Sequence, residues 1–244
     1  MINTDIQEES RETVSGQEYT AQTIKSLGSS DYTIVNVVVD KSGSLNGKES
    51  DLEDCLNTII GSCKQSPRSE ALMLRTVLFS NNETEVHGFK EIYSLKENEY
   101  DNTIVVGGMT ALYDATYNSI ESLGNYSKDL YKNDFNSNGL IFILTDGEDN
   151  NSSKTADDVK NLLASVRKAE IMTSLDVIIV GMLEDVSSLR DFADNINVKF
   201  IKFGDVNKNS LSKLASFISK SIAIVSKKLG TNDTSSFDPN SIDF

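Results

Sequence analysis

The chain has 244 residues, of which 38% are hydrophobic, and 23 Lys and Arg stand against 37 Asp and Glu, a formal net charge of −14. That apolar content is enough for one large core. The surplus acid argues against nucleic acid and anionic membrane surfaces as partners, because both are gripped through Lys and Arg; it suits a cation or a basic partner surface, but plain solubility is the better reading of it.

Residues 1–30 read as a polar extension, punctuated by Ser15, Gly16, Gly28, Ser29 and Ser30. A short helix is expected over Gln17–Leu27, where Ala21, Ile24 and Leu27 make a weak apolar stripe. Met1–Gly16 lacks the basic start and apolar core of a secretory leader. No stretch approaches the roughly 18 apolar residues that span a bilayer, so a cytoplasmic protein is expected.

A domain over residues 31–228 follows. Tyr32–Val39 (YTIVNVVV) is β-branched and almost wholly apolar, the mark of a buried strand. Leu52, Cys55, Leu56, Ile59, Ile60 and Cys63 then fall on one face of a helix. The two cysteines are eight residues apart on that helix, about 12 Å at 1.5 Å per residue, which is too far for a disulfide; a reducing compartment is expected. Ala71–Ser80 is the next strand, and Asn81, Asn82 and Glu83 turn the chain into an antiparallel edge strand over Glu85–Ile92. Helical spacing returns at Leu112, Ala115, Ser119, Ile120 and Leu123. A strand at Leu140–Leu144, a helix through Ala156, Val159, Leu163 and Val166, and a strand at Leu175–Met182 come next. A helix near Ser187–Ala193, a strand at Val198–Phe203 and a last helix carrying Leu211, Leu214, Ala215, Ile218, Ile222 and Val225 complete the domain. The tail, residues 229–244, is polar and acidic and is expected to be disordered.

Strands alternating with helices imply an α/β fold: a doubly wound, mostly parallel sheet with one antiparallel edge strand and helices on both faces. In such sheets ligands bind beyond the carboxyl ends of the strands, where the strand order reverses. Three loops, two after strands and one before a helix, carry small oxygen-bearing residues: Asp40-Lys41-Ser42-Gly43-Ser44, Gly107-Gly108-Met109-Thr110-Ala111, and Thr145-Asp146-Gly147-Glu148-Asp149. None contains Cys or His. Asp40, Ser42, Ser44, Thr110 and Asp146 together offer two carboxylates and three hydroxyls. Hard oxygens of this kind suit Mg²⁺, Mn²⁺ or Ca²⁺ rather than zinc or copper. An ion held largely by neutral hydroxyls stays electron-poor and accepts an outside carboxylate.

The D-x-S-x-S spacing at Asp40, Ser42 and Ser44, the distant Thr110, and Asp146 within T-D-G resemble the metal-ion-dependent adhesion site of von Willebrand factor A domains. IVNVVVD before the first loop, GGMTALYDA, and LIFILTDGED are similar to that family too, so the resemblance runs over residues 31–228. It implies a non-catalytic module that binds a protein partner's Asp or Glu through one divalent cation, Mg²⁺ above Mn²⁺ or Ca²⁺. It also implies a rim drawn from Gly43, Leu45, Met109, Gly147 and Glu148. Lys41 departs mildly from the small or apolar residue frequent at its position. Stand-alone members of the family accompany AAA+ ATPases or stress and conflict systems, so such a component is an expected partner. Two other readings stay open: a metal-dependent phosphoesterase or similar hydrolase, which would lack the second carboxylate of D-x-D because Ser42 stands there, and a structural subunit that uses metal for stability alone. His87, the single histidine, lies outside all three loops and is expected to have no catalytic part.

Overall fold

The structure is a computed structural model describing residues 7–182, 185–204, 206–229 and 237–242. Its centre is an eight-stranded sheet in the order β1-β2-β5-β4-β3-β6-β7-β8. The strands are β1 (Glu8–Glu12), β2 (Glu18–Gln22), β3 (Asp31–Asp40), β4 (Leu72–Phe79), β5 (Glu83–Glu91), β6 (Asn136–Thr145), β7 (Ser174–Gly181) and β8 (Lys199–Lys202). From β4 through β3, β6 and β7 to β8 the pairing is parallel. The helices are α1 (Glu49–Lys64), α2 (Leu112–Lys132), α3 (Ala156–Lys168), α4 (Ser187–Asn195) and α5 (Lys208–Lys228).

Side chains alternate across a strand, and the central strands here are apolar on both faces. Val35, Val37 and Val39 of β3 pack with Leu52, Leu56 and Ile59 of α1 and with Leu214 and Ile218 of α5. Ile34 and Val38 face the other way, against Leu112, Ile120 and Leu123 of α2 and Leu163 of α3. The sheet is therefore sandwiched, with α1 and α5 on one face and α2, α3 and α4 on the other. Cys55 and Cys63 are buried and unbridged on α1, and burial pushes both thiols up to about 12. Among the described residues no helix is long and apolar enough to cross a membrane.

The antiparallel edge is present, since β5 runs against β4, and two further strands extend it. The expected helix over Gln17–Leu27 is not formed. Those residues make β2 and a short 3₁₀ turn, Ile24–Ser26. Tyr19 and Ala21 are buried while Glu18 is exposed, so the alternation that counts is the strand's. The turn between β1 and β2 closes through Thr13 and Gly16, the latter at φ +87°. Gly88 of β5 makes room for the hairpin: a Cβ there would lie 2.0 Å from the Thr20 carbonyl. Tyr126 of α2 donates its hydroxyl to the Gln22 carbonyl at 3.1 Å, and Arg11 pairs with Asp129 of the same helix.

The tail needs a second correction. Residues 230–236 and 243–244, part of the segment expected to be disordered, lie outside the described residues. Phe237 and Ile242, however, are buried against the α1–α5 side of the core, with the Lys199 ammonium over the Phe237 ring.

Candidate metal centre

The candidate site lies at the carboxyl ends of β3 and β6, where the order turns. The chain leaves β3 through α1 to β4 on one side, and later returns to β6 on the other. That geometry opens the crevice in which doubly wound sheets place their ligands.

Asp40 ends β3 and is fully buried. Its Oδ1 accepts the Ser42 N–H at 2.7 Å, and its Oδ2 accepts the Thr145 hydroxyl at 2.6 Å. The Ser42 and Ser44 hydroxyls lie 3.2 Å apart, and Ser44 donates to Asp146 Oδ1 at 2.8 Å. One chain of contacts thus joins the first loop to the third across 102 residues of sequence. Thr110 reaches the same place: a Cβ added at Gly147 would lie 3.2 Å from Thr110 Oγ1 and 3.9 Å from Asp40 Oδ2. All five expected residues are therefore neighbours.

Burial pushes the Asp40 carboxyl up to about 6 against the opposing hydrogen bonds from Thr145 and Ser42, and the nearby Asp146 adds to the rise. The Asp146 carboxyl is also raised, first by burial. Two carboxylates partly stripped of water and facing three hydroxyls form a donor set that a divalent cation complements, because its charge replaces the lost solvation. Among the described residues no group of three or more His, Cys, Asp or Glu is placed to hold a metal. The donor set here is two carboxylates with hydroxyls, which fits a hard cation that keeps part of its water.

The loops are braced from behind by residues that the sequence reading passed over. Thr145 clamps Asp40 and also takes the Gly147 N–H at 3.1 Å. Asn150 accepts the Thr110 N–H at 2.8 Å and returns its own N–H to the Thr110 carbonyl at 2.9 Å. Asn81 accepts the Met109 N–H at 3.0 Å. Gly108 sits at φ +90°, where a Cβ would fall 2.1 Å from the Asn81 side chain; only glycine suits that turn. Thr145 carried a visible signal, a hydroxyl at a strand end inside T-D-G. The two asparagines carried none, since polar loop residues are common.

Asp149 accepts the Tyr113 N–H, and Asp114 accepts the N–H groups of Ser153 and Lys154, so both acids tie loops together. Of the rim residues, Gly43, Met109 and Glu148 are exposed and Gly147 half-buried. Leu45 is a correction: it is 1% exposed and packs in the core with α1, because the 3₁₀ turn Gly43–Leu45 rolls its side chain inward. Val105, 74% exposed, lies near Met109 in the chain and adds apolar surface that the reading missed.

No family model and no curated protein matches the chain. Among solved structures it is similar to a single-residue variant of the PilB minor pilin from Streptococcus sanguinis, with a TM-score of 0.60 and 14% identity over 84% of this chain and 64% of that one. It is also similar to a von Willebrand factor type A protein from Catenulispora acidiphila, with a TM-score of 0.51 and 14% identity over 84% of this chain and 45% of that one. A third likeness is to the pilus adhesin SpaC from Lactobacillus rhamnosus GG, with a TM-score of 0.57 and 10% identity over 89% of this chain and 33% of that one. The chain spans less than two thirds of each of these proteins. The likeness is one of fold, and the fold is von Willebrand factor A-like.

Proposed function

We propose that this protein is an interaction module that holds one divalent cation, Mg²⁺ by preference, and captures an acidic side chain of a protein partner through it. The observation that carries the reading is the convergence of Asp40, Ser42, Ser44, Thr110 and Asp146 from three separate loops onto one point. When bound, the cation supplies a Lewis-acidic position for an incoming carboxylate.

The chain's own residues supply the rest. Asp40 and Asp146 provide the charge, and the three hydroxyls provide neutral donors that leave the cation electron-poor. Thr145 and the Ser42 N–H hold Asp40 in place before any ion arrives. The exposed Met109 offers apolar contact beside the site, and Glu148 gives the rim a charge.

Ser42 and Ser44 are assigned to coordination rather than nucleophilic attack, because the carboxylate that Ser44 reaches, Asp146, belongs to the donor set itself, and the imidazole that serine hydrolases use as base is not at hand. His87 is buried on β5, with its ring nitrogens against the Gly88 carbonyl and the Tyr100 hydroxyl. A minor pilin and a pilus adhesin among the structures of similar fold are consistent with an adhesive role. An AAA+ ATPase or a stress-system component is the partner class the motif resemblance suggests.

The test is capture on the immobilised chain in Mg²⁺ buffer with elution by EDTA, run beside Mg²⁺ titration calorimetry. Wild type binds Mg²⁺ and releases its partner into EDTA, and Asp40→Ala does neither. Capture that ignores both EDTA and the substitution sinks the proposal.

A further inference from the structure

A second polar cleft lies beside the candidate metal centre. Its volume is about 270 Å³, and Gln17, Asn81, Asn82, Glu83, Asp114 and Asn118 supply its polar lining. Ala111, the neighbour of Thr110, also lines it, and Asn81 is the residue that holds the Met109 N–H. The cleft and the metal loops therefore share a wall.

Glu83 is its chemical centre. Oε1 accepts the Asn118 side-chain N–H at 2.6 Å. Oε2 is covered and has no hydrogen-bond partner among the described residues, so a group in the cleft pairs with it only once the Glu83 carboxylate turns towards the opening. A buried carboxylate oxygen left unpaired is costly, so it marks a place where a donor belongs. Burial pushes this carboxyl up to about 7, although the Asn118 hydrogen bond and Arg75 oppose the rise; Asp114 and Glu85 add to it. Arg75 does not quench the charge, since its guanidinium is engaged by Glu85 at 2.6 Å and by Ser122 at 3.2 Å.

The chemistry of the lining suits an organic cation better than a second metal. The Asp114 carboxylate is taken up by Ser153 and Lys154, which leaves one free carboxylate oxygen and several neutral amides. That is too little charge to strip a divalent ion of its water. The cleft also has space for several waters at roughly 30 Å³ each, the room an alkylammonium or guanidinium group needs. Amide carbonyls and a carboxylate around one cavity are the acceptors such a group requires, since it has donors only.

We propose that this cleft receives a Lys or Arg side chain of the protein partner, so that recognition pairs a carboxylate at the metal with a basic side chain beside it. The assignment of the occupant to a protein partner rests on the function proposed above; the cleft's taste for an organic cation does not.

The two are separated by measuring the cleft alone, in EDTA. The whole chain is titrated with n-butylammonium, standing for Lys, and with methylguanidinium, standing for Arg, while the side-chain amide NMR signals of Asn81, Asn82 and Asn118 are followed. Saturable shifts confined to those amides are expected for at least one probe, with at least about tenfold weaker binding in Glu83→Gln. Glutamine keeps the Oε1 acceptor for Asn118, and its melting temperature shows whether the variant is folded. The wild type supplies an independent readout, because binding strengthens as Glu83 loses its proton between pH 6 and 8. Shifts equal in Glu83→Gln, or absent for both probes, overturn the proposal, and so do amide shifts driven by Mg²⁺ or Ca²⁺ in place of the organic cations. A wild-type chain that binds no Mg²⁺ but shows these shifts would overturn the metal reading alone.

Discussion

Replacing Asp40 by Asn separates what the buried carboxylate does for the metal from what it costs the fold. Without a cation, a carboxyl that ionises near pH 6 instead of 3.8 holds its charge at a disadvantage of about 3 kcal/mol, at about 1.36 kcal/mol per tenfold change in acidity. The folded state binds this proton more tightly than the unfolded chain does. Stability from this group is therefore greatest below pH 3.8 and declines as pH rises towards about 6, beyond which the whole penalty is present. Asparagine removes the charge and can keep the contacts. Its carbonyl takes the Ser42 N–H, and Thr145 can turn its hydroxyl to the Gly147 carbonyl, 3.1 Å away, and accept from the new amide. At pH 7.5 in EDTA the variant is thus expected to gain about 1–3 kcal/mol, or roughly 2–12 °C in melting temperature for a domain of this size. Mg²⁺ closes or reverses the gap: wild type gains about 2.7 kcal/mol at a hundredfold excess over Kd, and the variant gains nothing. Differential scanning fluorimetry with EDTA and with Mg²⁺ reads both effects. An Asn variant no more stable than wild type in EDTA, or one that Mg²⁺ still stabilises, would refute the reasoning.

Three further outcomes follow from particular contacts. Thr145→Val deletes the hydroxyl that positions Asp40 Oδ2 and is expected to lower Mg²⁺ affinity about 10- to 100-fold in calorimetry, with the fold retained by circular dichroism; unchanged affinity would remove Thr145 from the site. Glu85→Gln leaves the 1% exposed Arg75 without its ion-pair partner, so urea unfolding should show a loss of about 3–5 kcal/mol, and a loss below about 1 kcal/mol would mean that Ser122, the Phe89 ring and the nearby Glu83 suffice. His87 is held down to about 4 by burial, so the unfolded chain takes up its proton first. Its contribution to stability is complete above about pH 6.5 and is lost as pH falls towards 4. Because Asp40 and Glu83 slope the opposite way over part of that window, the quantity to measure is the difference between wild type and His87→Gln across pH 4–7, and a flat difference would contradict the assignment.

The central sheet could be read from residues because its strands are buried on both faces. A run such as YTIVNVVV has few other homes, and helices with apolar residues every third or fourth position must cover it. The five oxygen-bearing residues were legible for a related reason: each stands where a strand has just ended or a helix is about to begin, so the strand pattern itself points to them. The ends of the chain were not legible. Ala21, Ile24 and Leu27 match a helix as well as Tyr19 and Ala21 match a strand, and only the gap at Gly88 and the partners on α2 decide between the two. Phe237 and Ile242 became core residues because a distant surface had room for them.

What the sequence alone determined is the chemistry available at the site: hard oxygens, two charges, and no thiol or imidazole within the three loops. What the tertiary structure decided is the distance between those oxygens and the cost of their burial. Asp40 and Asp146 lie 106 residues apart, and their meeting depends on β6 pairing beside β3. Leu45 shows the same division at one position, for its place in the motif suggested a rim while the turn of the backbone put it in the core. Glu83 shows it again: it reads as an ordinary turn acid until α2 closes over it and leaves one oxygen without a partner. Residue type and local spacing are written in the chain, but solvation is not, because it depends on which segments pack around a group.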